Sequence, residues 1–243
     1  MEWTKTKAIL LLLIVSGIFL SILLILGGGD LIAGDASLFV LLNPHQATAF
    51  DQFFIVFSNW GPGDFGLGIY GMIILTLVLL VLSLKYRPLR PMRFMLLLVI
   101  VGFIIGYLGL TIVLKGLIGR ARPFTEFDLL SPTPSNAWIL FTNPTITFND
   151  PSFPSGHATA GFIFATPLLL LYKKNWIRIL ALAYGILVAY ARIFIGVHYP
   201  LDVFVGSLIG ILVVALFYLL IKRYVLPRAP WFQVEEGPTE KKS

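Results

Sequence analysis

Cysteine is absent from this 243-residue chain. That excludes a disulfide framework, thiolate metal sites and thiol catalysis. Charge is scarce as well. Only 12% of residues are Asp, Glu, Lys or Arg, against roughly 25% in soluble domains. Histidine occurs three times, so imidazole chemistry has few places to sit. Between residues 28 and 63 there is no Lys or Arg at all, and nowhere is there a low-complexity tract or a linker that would set off a second domain. What the chain does have is apolar surface: 58% of residues are hydrophobic and the mean hydropathy is +0.90. This balance excludes an ordinary soluble domain and points to an integral membrane protein. One membrane domain over 1–243 is expected, ending in a short polar tail from about residue 228.

Six apolar stretches approach the roughly 20 residues that a hydrocarbon core demands. They lie at about 8–27, 64–84, 93–114, 157–173, 176–195 and 201–221. The expected fold class is therefore all-α, with six transmembrane helices. Pro167 in the fourth and shortest stretch predicts a kink. Lys5 and Lys7 precede the first stretch as they would in a signal peptide. Its apolar run is longer than the roughly 7–15 residues of such peptides, and no convincing cleavage site follows. A retained helix is expected there.

Basic residues in loops orient membrane helices. Lys5 and Lys7, the group Lys85, Arg87, Arg90 and Arg93, the group Lys173, Lys174 and Arg178, and five C-terminal basic residues all fall on one side of a six-helix layout. Both termini are then cytoplasmic in a multi-pass cell-membrane protein. Four cations remain for the opposite side: Lys115, Arg120, Arg122 and Arg192. A positive charge kept on the disfavoured side points to a ligand. The net charge of +6 is read as topology and contact with anionic lipid headgroups, not as a nucleic-acid surface, and no protein partner is implied. The first connection carries Phe50, Phe53, Phe54, Phe57 and Trp60, a pattern expected to rest at headgroup level. Residues 116–156 hold six prolines and Trp138, and are expected to form a structured external loop between the third and fourth helices.

Three short patterns sit at the ends of these stretches. They are Lys115-x6-Arg122-Pro123, Pro154-Ser155-Gly156-His157 and Arg192-x5-His198-x3-Asp202. Fixed cations stabilise the charge on a transferring phosphoryl group, and arginine adds a planar fork matched to phosphate oxygens. Lys115, Arg122 and Arg192 are therefore candidate phosphate ligands. Ser155 can cap the helix that follows it. Gly156 lets backbone N–H groups approach an anion at the helix N-terminus. Pro200 suits the first turn of a helix, so His198 lies just before the sixth helix and Asp202 on its first turn. A carboxylate that accepts a bond from one imidazole nitrogen fixes the tautomer and leaves the other nitrogen to react. His45 has no partner motif and reads as a loop residue. Asp30, Asp35, Asp51 and Asp64 are scattered, so no metal site and no cofactor is expected.

Together the three patterns resemble the signature of the type 2 phosphatidic acid phosphatase family, in order and in spacing. The resemblance implies that His198 is a nucleophile forming a phosphohistidine, that Asp202 orients it, and that His157 is the general acid. It also implies that Lys115, Arg122, Ser155, Gly156 and Arg192 bind the phosphate. The activity implied is metal-independent hydrolysis of a lipid phosphate at the extracytoplasmic face: undecaprenyl diphosphate, phosphatidylglycerophosphate or phosphatidic acid. Where the family pattern has Ser before the motif arginine, this chain has Ala191, which removes one hydroxyl contact. Arg120, outside the signature, reads as an accessory phosphate contact. The alternatives are a lipid phosphoryl or headgroup transferase of the same fold, and a non-catalytic lipid-phosphate transporter. A transporter is expected to show internal repeats and polar residues at the bilayer midplane, and neither is clear here.

Overall fold

The computed structural model describes residues 5–43, 53–54, 69–126 and 150–225, and no strand occurs among them. Helix α1 spans Lys5–Leu26 and α2 spans Leu31–Leu42. Helix α3 spans Ile69–Lys85, and a 3-10 turn over Arg87–Met92 leads into α4. Helix α4 is a continuous run over 93–118, with α-helical Arg93–Gly102 and Ile112–Ile118 flanking a π-helical Phe103–Thr111. Helices α5, α6 and α7 span Gly156–Leu171, Asn175–Phe194 and Pro200–Leu220.

Each expected apolar stretch coincides with a helix where residues are described. The helix α5 runs through Pro167. By length and composition, three helices among the described residues are fit to cross a membrane: the run through α4, α6 and α7. The pair α1–α2 counts as a fourth if taken as one span bent by 92°. Helices α3 and α5 are apolar but shorter. At 1.5 Å per residue, α5 rises only about 24 Å, less than the ~30 Å hydrocarbon core. Its environment explains the shortness. It is surrounded by α4, α6 and α7, and its residues from Gly156 to Ala160 are buried except for His157. Large apolar side chains on the other helices, such as Ile25, Leu117 and Ile179, are instead largely exposed. An outward apolar belt of this kind suits lipid rather than water.

Helix α2 was not among the six stretches. Asp30 starts it, its side chain accepting from the backbone N–H groups of Ile32 at 2.7 Å and Ala33 at 3.3 Å. The helix is no surface appendage, since Asp35 and Phe39 are fully buried. Asn43 closes it, its N–H donating to the Phe39 carbonyl at 2.8 Å, while its side-chain amide donates to the carbonyls of Ile193 and Phe194, both at 2.8 Å. Of the aromatic residues expected at the headgroups, Phe54 packs on Phe194 and Tyr190, with centroids 4.2 and 5.3 Å apart. Phe50, Phe57 and Trp60 lie outside the described residues, as do His45, Asp51, Asp64 and residues 127–149 of the proposed external loop.

Close contact between α5 and α7 depends on two glycines one helical turn apart. A Cβ on Gly206 would lie 2.4 Å from the Ser155 carbonyl oxygen, and one on Gly210 would lie 2.5 Å from that of Thr159. Small residues at this spacing let helix backbones meet in an apolar solvent that offers no hydrophobic drive. Backbone cannot yield as a flexible side chain can, so Gly210→Ala is expected to destabilise the protein by about 1–3 kcal/mol, the usual penalty of overpacking. Thermal unfolding in detergent measures this, and an unchanged midpoint would show that the helices are not held this close.

Candidate active site

The C-terminal ends of α4 and α6 and the N-terminal ends of α5 and α7 carry all three motifs. Local backbone chemistry explains each spacing. Helix α4 stops at Gly119, which takes the left-handed conformation (φ 64°) and returns its N–H to the Lys115 carbonyl at 3.1 Å. The chain then doubles back, so Arg122 reaches the same partner as Lys115. That partner is Asp150: Lys115 Nζ lies 2.8 Å from Oδ2 and Arg122 Nη2 lies 2.7 Å from Oδ1. Lys115 also donates to the Pro151 carbonyl, and Arg122 Nε to the Asp150 carbonyl at 3.0 Å. Helix α6 ends in a similar way. Gly196 (φ 78°) turns the chain, and the N–H groups of Val197 and His198 both donate to the Arg192 carbonyl at 3.2 Å. Six residues apart in sequence, Arg192 and His198 are thereby joined at the backbone.

Pro200 opens α7, as the sequence predicts, and Asp202 in its first turn accepts from the Tyr199 N–H at 2.9 Å. Ser155 caps α5 by accepting from the Ala158 N–H at 3.4 Å, and its own N–H donates to the Asp202 carbonyl at 2.9 Å. The second motif is thus pinned to the third through backbone. A Cβ on Gly156 would lie 2.9 Å from the Tyr107 ring, so this position must be small for a neighbour in the π segment of α4. The Nε2 atom of His157 is buried without a hydrogen-bond partner among the described residues.

His198 is 2% exposed, and its Nδ1 lies 3.5 Å from Asp202 Oδ2 and 3.3 Å from Ser152 Oγ. Ser152 donates its only hydroxyl proton to Asp202 Oδ2. The serine oxygen can therefore only accept from the imidazole, which places the histidine proton on Nδ1. The Nε2 lone pair is left facing Arg122, whose Nη1 lies 3.4 Å away and also donates to the Val197 carbonyl at 3.1 Å. Burial first, and then the guanidinium groups of Arg122 and Arg192, push the His198 pKa well below that of an ordinary imidazole. At neutral pH the ring is uncharged. Burial on its own would raise the Asp150 carboxyl, but Lys115 and Arg122 outweigh it and hold Asp150 below the usual carboxylate range.

The sequence reading needs correction at Arg120. Its guanidinium does not join the other cations. It donates from Nη1 to Asp202 Oδ1 at 2.8 Å, pairs with Asp35 Oδ2 at 2.7 Å, and lies 3.9 Å over the Tyr199 ring centroid. Two buried carboxylates hold it, so it is not an accessory phosphate ligand. Sequence reasoning also passed over Asp35, Asp150 and Ser152. The last two stand just ahead of the Pro-Ser-Gly-His pattern, and proximity to that motif was the available signal. Ala191 is fully buried, and its carbonyl accepts from Ile195 N–H at 3.1 Å. The hydroxyl next to His198 comes from Ser152 instead.

If the neutral ring is the reactive form, kcat/KM rises with pH through the free-enzyme pKa of His198. The acid limb is then expected clearly below the ordinary imidazole value of about 6.5. Removing one cation with Arg122→Gln raises that pKa and moves the limb to higher pH. Profiles of both proteins on one substrate check this, because the ionisation of the substrate cancels between them.

Comparison with known proteins gives consistent matches. The model of the PAP2 superfamily matches residues 90–225. A Sulfolobus acidocaldarius undecaprenyl-diphosphatase is 31% identical over 202 residues, covering 83% of this chain and 84% of that protein. A Rhizobium etli lipid A 1-phosphatase is 34% identical over 120 residues, covering 45% of this chain and 47% of its own length. Among solved structures, the first transmembrane PAP2 type phosphatidylglycerolphosphate phosphatase from Bacillus subtilis shares the fold. It aligns with a TM-score of 0.59 and 21% identity, over 85% of this chain and 94% of that one.

Proposed function

The chain belongs to the PAP2 superfamily, and from that membership and the geometry of its site we propose a six-span membrane phosphatase acting on a prenyl diphosphate, with undecaprenyl diphosphate as the leading substrate. The observation that carries this reading is the setting of the buried His198 ring. Its Nε2 faces Arg122, while its Nδ1 is held by Ser152 and Asp202.

The reaction consists of two displacements. His198 Nε2 bonds to the terminal phosphorus, and the P–O bond to the lipid phosphate breaks. The departing oxygen keeps the electron pair and takes a proton from His157, which enters the step as the imidazolium formed when the anionic diphosphate binds with its proton. Water then attacks the phosphohistidine and gives a proton to His157. The P–N bond breaks, releasing inorganic phosphate and restoring His198. Lys115, Arg122 and Arg192 balance the charge spread over the equatorial oxygens, and Ser155 and Gly156 line the same phosphate position at the start of α5. In the structure the Asp150 carboxylate lies between Lys115 and Arg122. It stands where phosphate oxygens would be received, so substrate binding exchanges one anion for another. The protein's own cations supply the electrophilic assistance, and the reading requires no metal.

Phosphate release by purified protein tests this, with chelator present throughout. The panel is undecaprenyl diphosphate, phosphatidylglycerophosphate, phosphatidic acid and phosphorylated lipid A. His198→Ala is expected to lose about 10^4-fold or more in kcat, the usual scale for deleting a nucleophile. A labelled phosphoenzyme should be trapped in His157→Ala and be absent from His198→Ala. Undiminished release by the His198 variant would end the nucleophile assignment.

The side of the membrane is part of the same proposal. Lys85, Arg87, Arg90, Lys173, Lys174, Arg178, Lys222 and Arg223 all lie at helix ends remote from the motifs, and basic residues favour the cytoplasmic side. A single cysteine at Ser135→Cys is expected to react with an impermeant thiol reagent on intact cells. Protection until the membrane is permeabilised would place the site in the cytoplasm instead.

A further inference from the structure

Helix α2 lies wholly outside the matched segment 90–225, yet it places a carboxylate only Arg120 away from Asp202, the partner of His198. Asp35 is fully buried. Its Oδ2 lies 2.7 Å from Arg120 Nη1, and its Oδ1 accepts from the Leu201 N–H at 2.8 Å. The same Arg120 nitrogen donates to Asp202 Oδ1 at 2.8 Å. We propose that Asp35 is a positioning residue for hydrolysis, acting through Arg120 on Asp202 and so on His198. The inference rests on the phosphatase reading above.

The physical argument concerns how one cation is shared. A buried arginine with a single carboxylate partner would pair fully with it and quench its charge. Asp202 would then do little for the positive charge that develops on the His198 ring during attack. With Asp35 as a second partner, the Arg120 charge is divided between two carboxylates, and the cluster of the three keeps a net negative charge beside the imidazole. Asp35 also fixes geometry. By holding both Arg120 and the Leu201 N–H, it ties the turn after α4 to the first turn of α7, which carries Asp202. The Tyr199 ring beneath the guanidinium completes the seat. Nothing about Asp35 in sequence marks this role. It lies 85 residues before Arg120 and in none of the motifs.

A double-mutant cycle tests it: wild type, Asp35→Asn, Arg120→Gln and the double variant, with His198→Ala as the reference for the chemistry. Asp35→Asn is expected to lower kcat about ten- to a hundredfold, as loss of an orienting partner does, while KM stays within a few-fold. A merely structural role would lower the amount of active protein without this separation. Acting through Arg120, Asp35→Asn should add little to Arg120→Gln, whereas independent sites add. Wild-type kcat in Asp35→Asn, a change in KM alone, or fully additive losses would each overturn the inference. Should Asp35→Asn fail to fold, Arg120→Gln judges it, because it removes the one charged nitrogen that joins Asp35 to Asp202. Reduced kcat at stable KM supports the relay and unchanged kcat refutes it. If the wild-type protein releases no phosphate from any lipid in the panel, the phosphatase reading has failed. The inference concerns hydrolysis and falls with it, whereas activity in the wild type with unchanged kcat in Asp35→Asn overturns the inference alone.

Discussion

The buried carboxylate of Asp202 is the group around which the rest of the site is arranged. An ionised side chain removed from water costs several kcal/mol unless charge and hydrogen bonds replace its hydration. Asp202 is fully buried, and its replacements come from three different parts of the chain. Arg120 arrives from the turn after α4, Ser152 from the segment before α5, and the Tyr199 N–H from the turn before α7. These contacts satisfy one side chain and in doing so fix where the helix ends must meet. His198 inherits its orientation from the same arrangement, since Ser152 passes its only proton to Asp202 and must accept from the ring.

A second constraint works in the opposite sense. Lys115, Arg122 and Arg192 crowd positive charge around a buried imidazole, and Asp150 partly offsets it. Such a cluster suits an anion that brings its own negative charge, and it favours the neutral form of the ring. Apolar side chains on α1, α3, α4 and α6 face outward, and the cluster lies at one end of this apolar-faced bundle. That is where the headgroup of a membrane lipid already lies. Within the family shown, this arrangement accounts for a phosphatase whose substrate keeps its tail among the lipids.

The proximity of the helices is as much a requirement as the charges. Gly206 and Gly210 bring α7 against the backbone of α5, and the Ser155 N–H reaches the Asp202 carbonyl only because they do. The π segment of α4 sets the Tyr107 ring against Gly156. A glycine that reads in sequence as a phosphate-binding turn thus answers first to a packing neighbour, while its place at the start of α5 is unchanged.

Much of this was legible in the residues, because periodicity and local capping are short-range effects. The apolar stretches, the helix start at Pro200, the cap at Ser155 and the grouping of cations at motif positions all depend on neighbours within a few residues. Asp202 could be assigned to His198 for the same reason, since four residues across a helix start bring the two side chains together. The role of Arg120 could not be read this way. Whether a guanidinium meets a phosphate or a carboxylate depends on what else is folded beside it, and its second partner, Asp35, is carried by a helix far away in sequence. Ser152 and Asp150 were hidden likewise, because their partners come from α4 and α7. The sequence by itself determined a membrane chain of the PAP2 superfamily with cations and histidines gathered at helix ends. The tertiary structure alone decided which cations face that site and which are spent holding Asp202, because buried charges take partners by distance in space and not by distance along the chain.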